Sequence, residues 1–178
     1  MSLRQQWFRA DVAKFVAPAA APRGPRLLAR VLSEPGLQFV WLARWQMYHE
    51  GRGRHQLARL LHLLNLRTTG AEFGHGCVVG GGFVVKHPLG LVVGSGTQIG
   101  QNCIVLHNVT FGERRPDEPA GVGRKTPRLG DDCLIGTGAV LLGDIILGHG
   151  AKVGAGSVVL NDVGPGVTVV GSPAKAVR

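Results

Sequence analysis

From residue 79 onward the chain places an apolar side chain at every sixth position. Val79 and Val85 begin the series, Val93, Ile99, Val105 and Phe111 continue it, and Leu129, Ile135, Leu141, Leu147, Val153 and Val159 complete it. A glycine follows directly at Gly80, Gly94, Gly100, Gly112, Gly130, Gly136, Gly148 and Gly154. A fixed short period marks a solenoid, in which each repeat buries its apolar face against its neighbours. Each aliphatic residue is expected to point inward from a short strand. The glycine after it is expected to turn the corner, because glycine tolerates positive φ. Three strands would make one coil, and stacked coils bury a continuous ladder. Two positions before each aliphatic residue, small side chains dominate: Cys77, Thr97, Cys103, Cys133, Ala139, Ala151 and Ser157. The three cysteines are therefore expected to be small buried fillers.

Two places break the pattern. Val85 and Val93 are two residues too far apart, so a small insertion lies between them, and it contains His87. Between Phe111 and Leu129 the phase is kept, but the intermediate positions are Asp117 and Gly123, which cannot fill an aliphatic ladder. Residues at about 113–128 are therefore expected to form a loop thrown out from the solenoid, and long loops in compact domains usually serve function.

Ahead of the repeat the period changes to that of helices. Residues 1–16, with Trp7, Phe8, Val12, Phe15 and Val16, predict a short helix that the prolines of residues 17–25 break. Residues 36–49 carry Leu37, Val40, Trp41, Trp45 and Tyr48 at helical spacing, and Gly51 and Gly53 stop the helix. Residues 54–66 repeat the pattern with Leu57, Leu60, Leu61 and Leu64, among Arg52, Arg54, Arg59 and Arg67. That leucine stripe is expected to pack on the rest of the protein or on another subunit. A basic helix of this kind also suits an anionic membrane surface, which is the sharper alternative.

Charge divides the chain at the same point. Residues 1–69 hold 11 Lys+Arg against 3 Asp+Glu, and residues 70–178 hold 9 against 8. The net charge of +9 thus belongs to an N-terminal helical region, 1–69, and the body, 70–178, is nearly neutral. With 44% hydrophobic and 17% charged residues the chain is no disordered polymer. Three cysteines without a CxxC pair argue against a disulfide scaffold or a zinc ribbon, and no metal is expected. No nucleic-acid-binding signature appears, so no nucleic-acid partner is expected. The most apolar early stretch is cut by Arg44 and is too short to span a bilayer, and no signal-peptide pattern precedes it, so a cytoplasmic protein is expected.

The repeat and particular strings within it resemble a known family. The strings are Gly80-Gly-Gly-Phe-Val-Val-Lys-His87-Pro-Leu-Gly-Leu-Val-Val-Gly94, Ile104-Val-Leu-His-Asn-Val-Thr-Phe-Gly112, Ile135-Gly-Thr-Gly-Ala139 and Gly150-Ala-Lys-Val-Gly-Ala-Gly-Ser-Val-Val-Leu160. With the ending around Gly171-Ser-Pro-Ala-Lys175, they resemble the serine O-acetyltransferase family of hexapeptide-repeat acyltransferases. The resemblance implies a mainly β protein, a left-handed parallel β-helix with a short N-terminal α-helical region. It implies a homotrimer, or a dimer of trimers, and O-acetyl transfer from acetyl-CoA to a small hydroxyl compound, L-serine or a serine-like one. The handedness rests on this resemblance, since periodicity does not fix it.

The reaction needs a base for the hydroxyl proton, and histidine is the usual one because imidazole titrates near working pH. His87 sits where the period slips and matches the family's catalytic histidine. Glu72 falls where the family has the aspartate that pairs with it, and a carboxylate there would hold the imidazole tautomer. His107, twenty residues on, is the rival base and a candidate to line the acceptor site. Two departures concern the acceptor. Lys86 stands where the family has an aspartate before its catalytic histidine, and Lys125-Thr126-Pro127 stands where it has Arg-His-Pro. Lys125 would bind a carboxylate as a point charge, without the bidentate fork of arginine. By resemblance, backbone groups of Gly112, Gly138, Ala139 and Gly156 would face the pantetheine arm of CoA with Ser157 nearby, and Lys152 and Lys175 would meet its phosphates. Loss of the aspartate leaves a sugar of a capsule or exopolysaccharide, or a secondary metabolite, as the alternative acceptor. A non-catalytic β-helix that assembles partners through its basic helices is the alternative of another class.

Overall fold

The structure, a computed structural model, describes residues 3–15, 25–114 and 126–177. Four helices come first: α1 (Leu3–Phe15), α2 (Pro25–Ser33), α3 (Pro35–Glu50) and α4 (His55–Thr69). The first, third and fourth are the expected helices. The second was not read from the sequence; it opens on Pro25, which suits a first helical turn because proline's missing N–H is not needed there. The rest of the proline-rich break, residues 16–24, lies outside the described residues.

α3 is the structural centre of the helical region. Leu37, Phe39, Val40, Leu42 and Ala43 are buried, and so are the polar Arg44 and Gln46, so the helix is enclosed on most of its circumference. Its first turn touches the β body at Gly36. A Cβ built there would lie 2.0 Å from the carbonyl oxygen of Val85. Gly36→Ala is expected to cost about 2 kcal/mol or more of stability, read by denaturant unfolding, because that oxygen is backbone and has nowhere to retreat. An unchanged midpoint would show that the helix can slide.

α4 does not meet the rest of this chain through its leucines. Leu57, Leu60 and Leu64 are 39%, 61% and 46% exposed, so the leucine stripe does not pack on the rest of this chain. The buried positions are Ala58, Asn65 and Thr69. Asn65 Nδ2 donates to the carbonyl of Phe39 at 3.1 Å, and His62 Nδ1 lies 2.9 Å from the carbonyl of Phe73. The helix therefore docks by small and hydrogen-bonding groups that meet backbone carbonyls, and its apolar face is left outside. Gly70, left-handed at φ 67°, ends it.

The body is a left-handed parallel β-helix of three sheets. β1 (Glu72–Phe73), β4 (Val92–Val93), β7 (Thr110–Gly112), β10 (Val140–Leu142) and β13 (Val158–Val159) form the first. β2 (Val78–Val79), β5 (Gln98–Ile99), β8 (Arg128–Leu129) and β11 (Ile146–Leu147) form the second. β3 (Val84–Val85), β6 (Ile104–Val105), β9 (Leu134–Ile135), β12 (Lys152–Val153) and β14 (Thr168–Val170) form the third, closed by the antiparallel β15 (Lys175–Ala176). Every aliphatic position of the six-residue series is buried, as are all three cysteines. Beside Cys133 and away from water, the Cys103 thiol is held well above the ordinary thiol range, as suits an inert filler.

The glycines after the aliphatic residues serve another purpose than the expected one. Positive φ falls two residues later, in columns such as Asn108, Gly138 and Gly156. Gly94 instead allows coils to approach: a Cβ there would sit 2.5 Å from the carbonyl oxygen of Phe111 in the next coil. The chain between β7 and β8 is longer than one step of the coil needs. β7 and β8 belong to sheets that succeed one another around the coil, yet eighteen residues join Phe111 to Leu129 where six join Val93 to Ile99. Residues 115–125 of that loop lie outside the described residues.

Candidate functional site

The corner between the third and first sheets gathers most of the chemistry. After β3 the chain runs Lys86-His87-Pro88 before it enters β4, and this is the two-residue slip in the period. His87 adopts φ 56°, a left-handed turn that pushes its side chain out of the coil, and both His87 and Lys86 are exposed. Pro88 is buried and anchors the turn. Asn102, Asn108 and Asp132 share this conformation at other corners of the coil.

His107 follows β6 at the same corner, one coil on, and is half-buried. The two imidazoles meet edge to face, with ring centroids 6.3 Å apart and planes at 76°. Thr137, on the corner after β9, places its hydroxyl 3.0 Å from His107 Nδ1 and 3.2 Å from Nε2. The column is rigid beneath the side chains, because Gly138 N–H donates to His107 O and Gly156 N–H donates to Thr137 O. Thr137 was not singled out from the sequence. Its signal is positional: it holds the same offset after its strand that His107 holds after β6.

Glu72 opens β1, pairs in register with Val92, and is half-buried. Its amide donates to Leu91 O, and Gly90 N–H donates to Gly70 O, so Glu72 borders the short turn that carries His87. Among the described residues no hydrogen bond or ion pair joins Glu72 to His87.

The remaining candidates are spread over the coil. Gly138 and Gly156 lie on the corner column, while Ala139 and Ser157 are buried, with side chains directed into the coil. Ser157 Oγ accepts the Gly171 amide at 3.1 Å, so its hydroxyl is committed to the fold. Gly112 ends β7, Lys152 stands exposed on β12, and Lys175 is exposed on β15. Thr126 is buried ahead of β8 in the second sheet, on a different side of the coil from His87. One chain does not bring Thr126 to the histidine corner. Lys125 lies outside the described residues. Among those residues no group of three or more His, Cys, Asp or Glu side chains could hold a metal ion, and no helix is long and apolar enough to cross a membrane.

Residues 126–161 match the family model "Bacterial transferase hexapeptide (six repeats)". The chain is 36% identical over 147 residues to serine acetyltransferase of Helicobacter pylori, covering 83% of this chain and 84% of that protein. It is 39% identical over 147 residues to serine acetyltransferase of Bacillus subtilis, covering 83% of this chain but 66% of that protein, so it spans about two thirds of the relative's length. Soybean serine acetyltransferase complexed with serine superposes with a TM-score of 0.82 at 34% identity, over 98% of this chain and 70% of that one. Serine acetyltransferase of Brucella abortus in complex with coenzyme A gives 0.81 at 30% identity, over 97% of this chain and 67% of that one.

Proposed function

The chain belongs to the serine acetyltransferase family, and from that membership we propose that it transfers the acetyl group of acetyl-CoA to the hydroxyl of L-serine or a serine-like compound, with His87 as general base. The observation that carries the reading is the His87 corner: an exposed imidazole on a left-handed turn, beside a second imidazole, in a chain similar to proteins crystallised with serine and with coenzyme A.

In this mechanism the acceptor hydroxyl loses its proton to His87 as its oxygen attacks the thioester carbon. The tetrahedral intermediate collapses with cleavage of the C–S bond, and the imidazolium returns the proton to the CoA sulfur. Glu72, bordering the same turn, orients the imidazole and stabilises its charged form. His107, propped by Thr137, lines the acceptor side. The CoA arm runs past the main chain of Gly112, Gly138, Ala139 and Gly156, near Ser157, with Lys152 and Lys175 toward its phosphates.

The position of Thr126 supports an assembly reading. Thr126 lies on a different side of the coil from His87, so a homotrimer in which Lys125 and Thr126 of one subunit meet a neighbour's histidine corner would complete the site. The exposed leucines of α4 suit a dimer of trimers or an anionic membrane surface, and the enzyme would work in the cytoplasm.

The direct experiment is release of free CoA thiol from acetyl-CoA with added acceptor. Turnover that depends on acceptor supports the reading, and binding of acetyl-CoA without any turnover removes it. Glu72→Gln is expected to lower kcat by about 10- to 100-fold with little change in acetyl-CoA affinity, because it removes the charge behind the imidazolium. Unchanged kcat would detach Glu72 from His87.

A further inference from the structure

We propose that the natural acceptor carries an anionic group near its reacting hydroxyl and no ammonium there, and that Lys86 selects it. The inference rests on the acetyl-transfer reading and narrows its acceptor from serine-like compounds in general to hydroxy acids, N-acylated serines or phosphorylated alcohols.

The argument starts from what the corner column contains. Residues 86–90, 106–109, 136–139 and 154–157 are the successive corners that border His87, and none is acidic. They offer Lys86, two imidazoles, the amide of Asn108 and the hydroxyl of Thr137. Lys86 is exposed, and its ammonium has no hydrogen bond or ion pair among the described residues. The carboxylate that borders this turn is Glu72 on β1, which the acetyl-transfer reading assigns to the imidazolium of His87.

A base must come within about 2.6–3.2 Å of the proton it removes. A group one or two bonds from that hydroxyl is then within reach of the side chain next to His87, which is Lys86. At such short range the sign of that group matters. An ammonium would face Lys86 with no acid in these corners to offset it. An anion would be drawn to Lys86 instead.

The contrast sharpens in the transition state. As the hydroxyl proton moves to His87, the corner gains a second positive charge beside Lys86. An anionic acceptor stabilises both charges, and an ammonium opposes both. Discrimination should therefore appear in kcat as well as in KM, since the interaction is stronger in the transition state than in the ground state. The bonds exchanged are unchanged: an ester C–O bond forms, the thioester C–S bond breaks, and the proton ends on the CoA thiol.

The test uses the full chain, acetyl-CoA and a free-thiol assay with five acceptors: L-serine, L-serine methyl ester, N-acetyl-L-serine, glycerate and glycerol 3-phosphate. The better of the anionic acceptors is expected to exceed L-serine by about tenfold or more in kcat/KM, with the methyl ester poorest. N-acetyl-L-serine and glycerate against glycerol 3-phosphate separate a carboxylate from a phosphate. Lys86→Asp should reverse the order of glycerate and the methyl ester, and Lys86→Gln should bring them together; the exposed position makes loss of fold in either variant unexpected, and circular dichroism checks it. Wild-type preference for L-serine, or an order that Lys86→Asp leaves unchanged, overturns the inference and leaves acetyl transfer standing. Absence of CoA release with all five acceptors overturns the acetyl-transfer reading together with it.

Discussion

Replacing His87 is expected to lower kcat/KM for acetyl transfer by about 10²–10⁴-fold, the range a positioned general base supplies, while the affinity for acetyl-CoA changes little. The choice of replacement matters because His87 sits at φ 56°. Alanine there adds backbone strain to the loss of the imidazole, whereas asparagine tolerates the left-handed region and keeps the turn. His87→Asn is therefore the cleaner variant, with His87→Ala beside it. Steady-state thiol release gives kcat/KM, and calorimetry with acetyl-CoA checks that the groove is intact. His107→Gln serves as the comparison and should fall by about tenfold or less, since that imidazole is propped by Thr137 and acts as lining. Retention of most activity by His87→Asn, with collapse in His107→Gln, would transfer the role of base to His107.

Asp11→Ala is expected to lower stability by about 3–5 kcal/mol, the largest structural effect of any single change considered, because it strands a buried guanidinium. Arg44 on α3 grips Asp11 on α1 through two hydrogen bonds, Nε to Oδ2 at 2.9 Å and Nη2 to Oδ1 at 3.1 Å. Arg44 also donates to the carbonyls of Val79 and Gly80, and Asp11 Oδ1 accepts the Phe83 amide at 2.9 Å. The guanidinium lies 5.3 Å from the centre of the Trp7 ring. Asp11 is fully buried and Arg44 is 4% exposed, so water cannot take over either charge. Burial pushes the Asp11 carboxyl above its ordinary value in spite of the lowering pull of Arg44, which shows how costly the site is for an ion without its partner. The double variant Asp11→Ala/Arg44→Met should lose less than the sum of the single losses, since neither charge is then left alone. Urea unfolding at fixed protein concentration measures all three, because assembly would otherwise shift the midpoint. A single-variant loss within about 1 kcal/mol of zero would mean that water reaches the pair.

The same residue shows where reading from sequence ends. In the chain Arg44 only interrupts an apolar stretch and argues against a membrane span. Its partner is thirty-three residues away and its carbonyl acceptors thirty-five and thirty-six away, so no local pattern reports them. The leucine stripe of α4 shows the same limit. Helical spacing shows that one face is apolar, but which face docks was settled by Asn65 and His62 finding the carbonyls of Phe39 and Phe73. The candidate site was legible in part. His87 stood out because the period slips there, and Glu72 and His107 turned out to border the same corner. Thr126 did not, because it lies ahead of β8 on a different side of the coil.

What the sequence determined by itself was whatever repeats locally: which residues line the interior, where the coil is interrupted, and that the charge belongs to the helices. A six-residue period sets side-chain direction within each strand and corner, and that needs no knowledge of neighbours. What only the tertiary structure decided was whatever depends on the next coil or on a distant helix. Gly94 looked like a corner residue and is instead the gap that admits the Phe111 carbonyl. Lys86 looked like a departure at one position, and the stacking of corners shows that the corner segments stacked with it, residues 106–109, 136–139 and 154–157, carry no acid. Spacing along one strand carries direction, whereas approach, pairing and the sum of charges arise between segments that only stacking brings together.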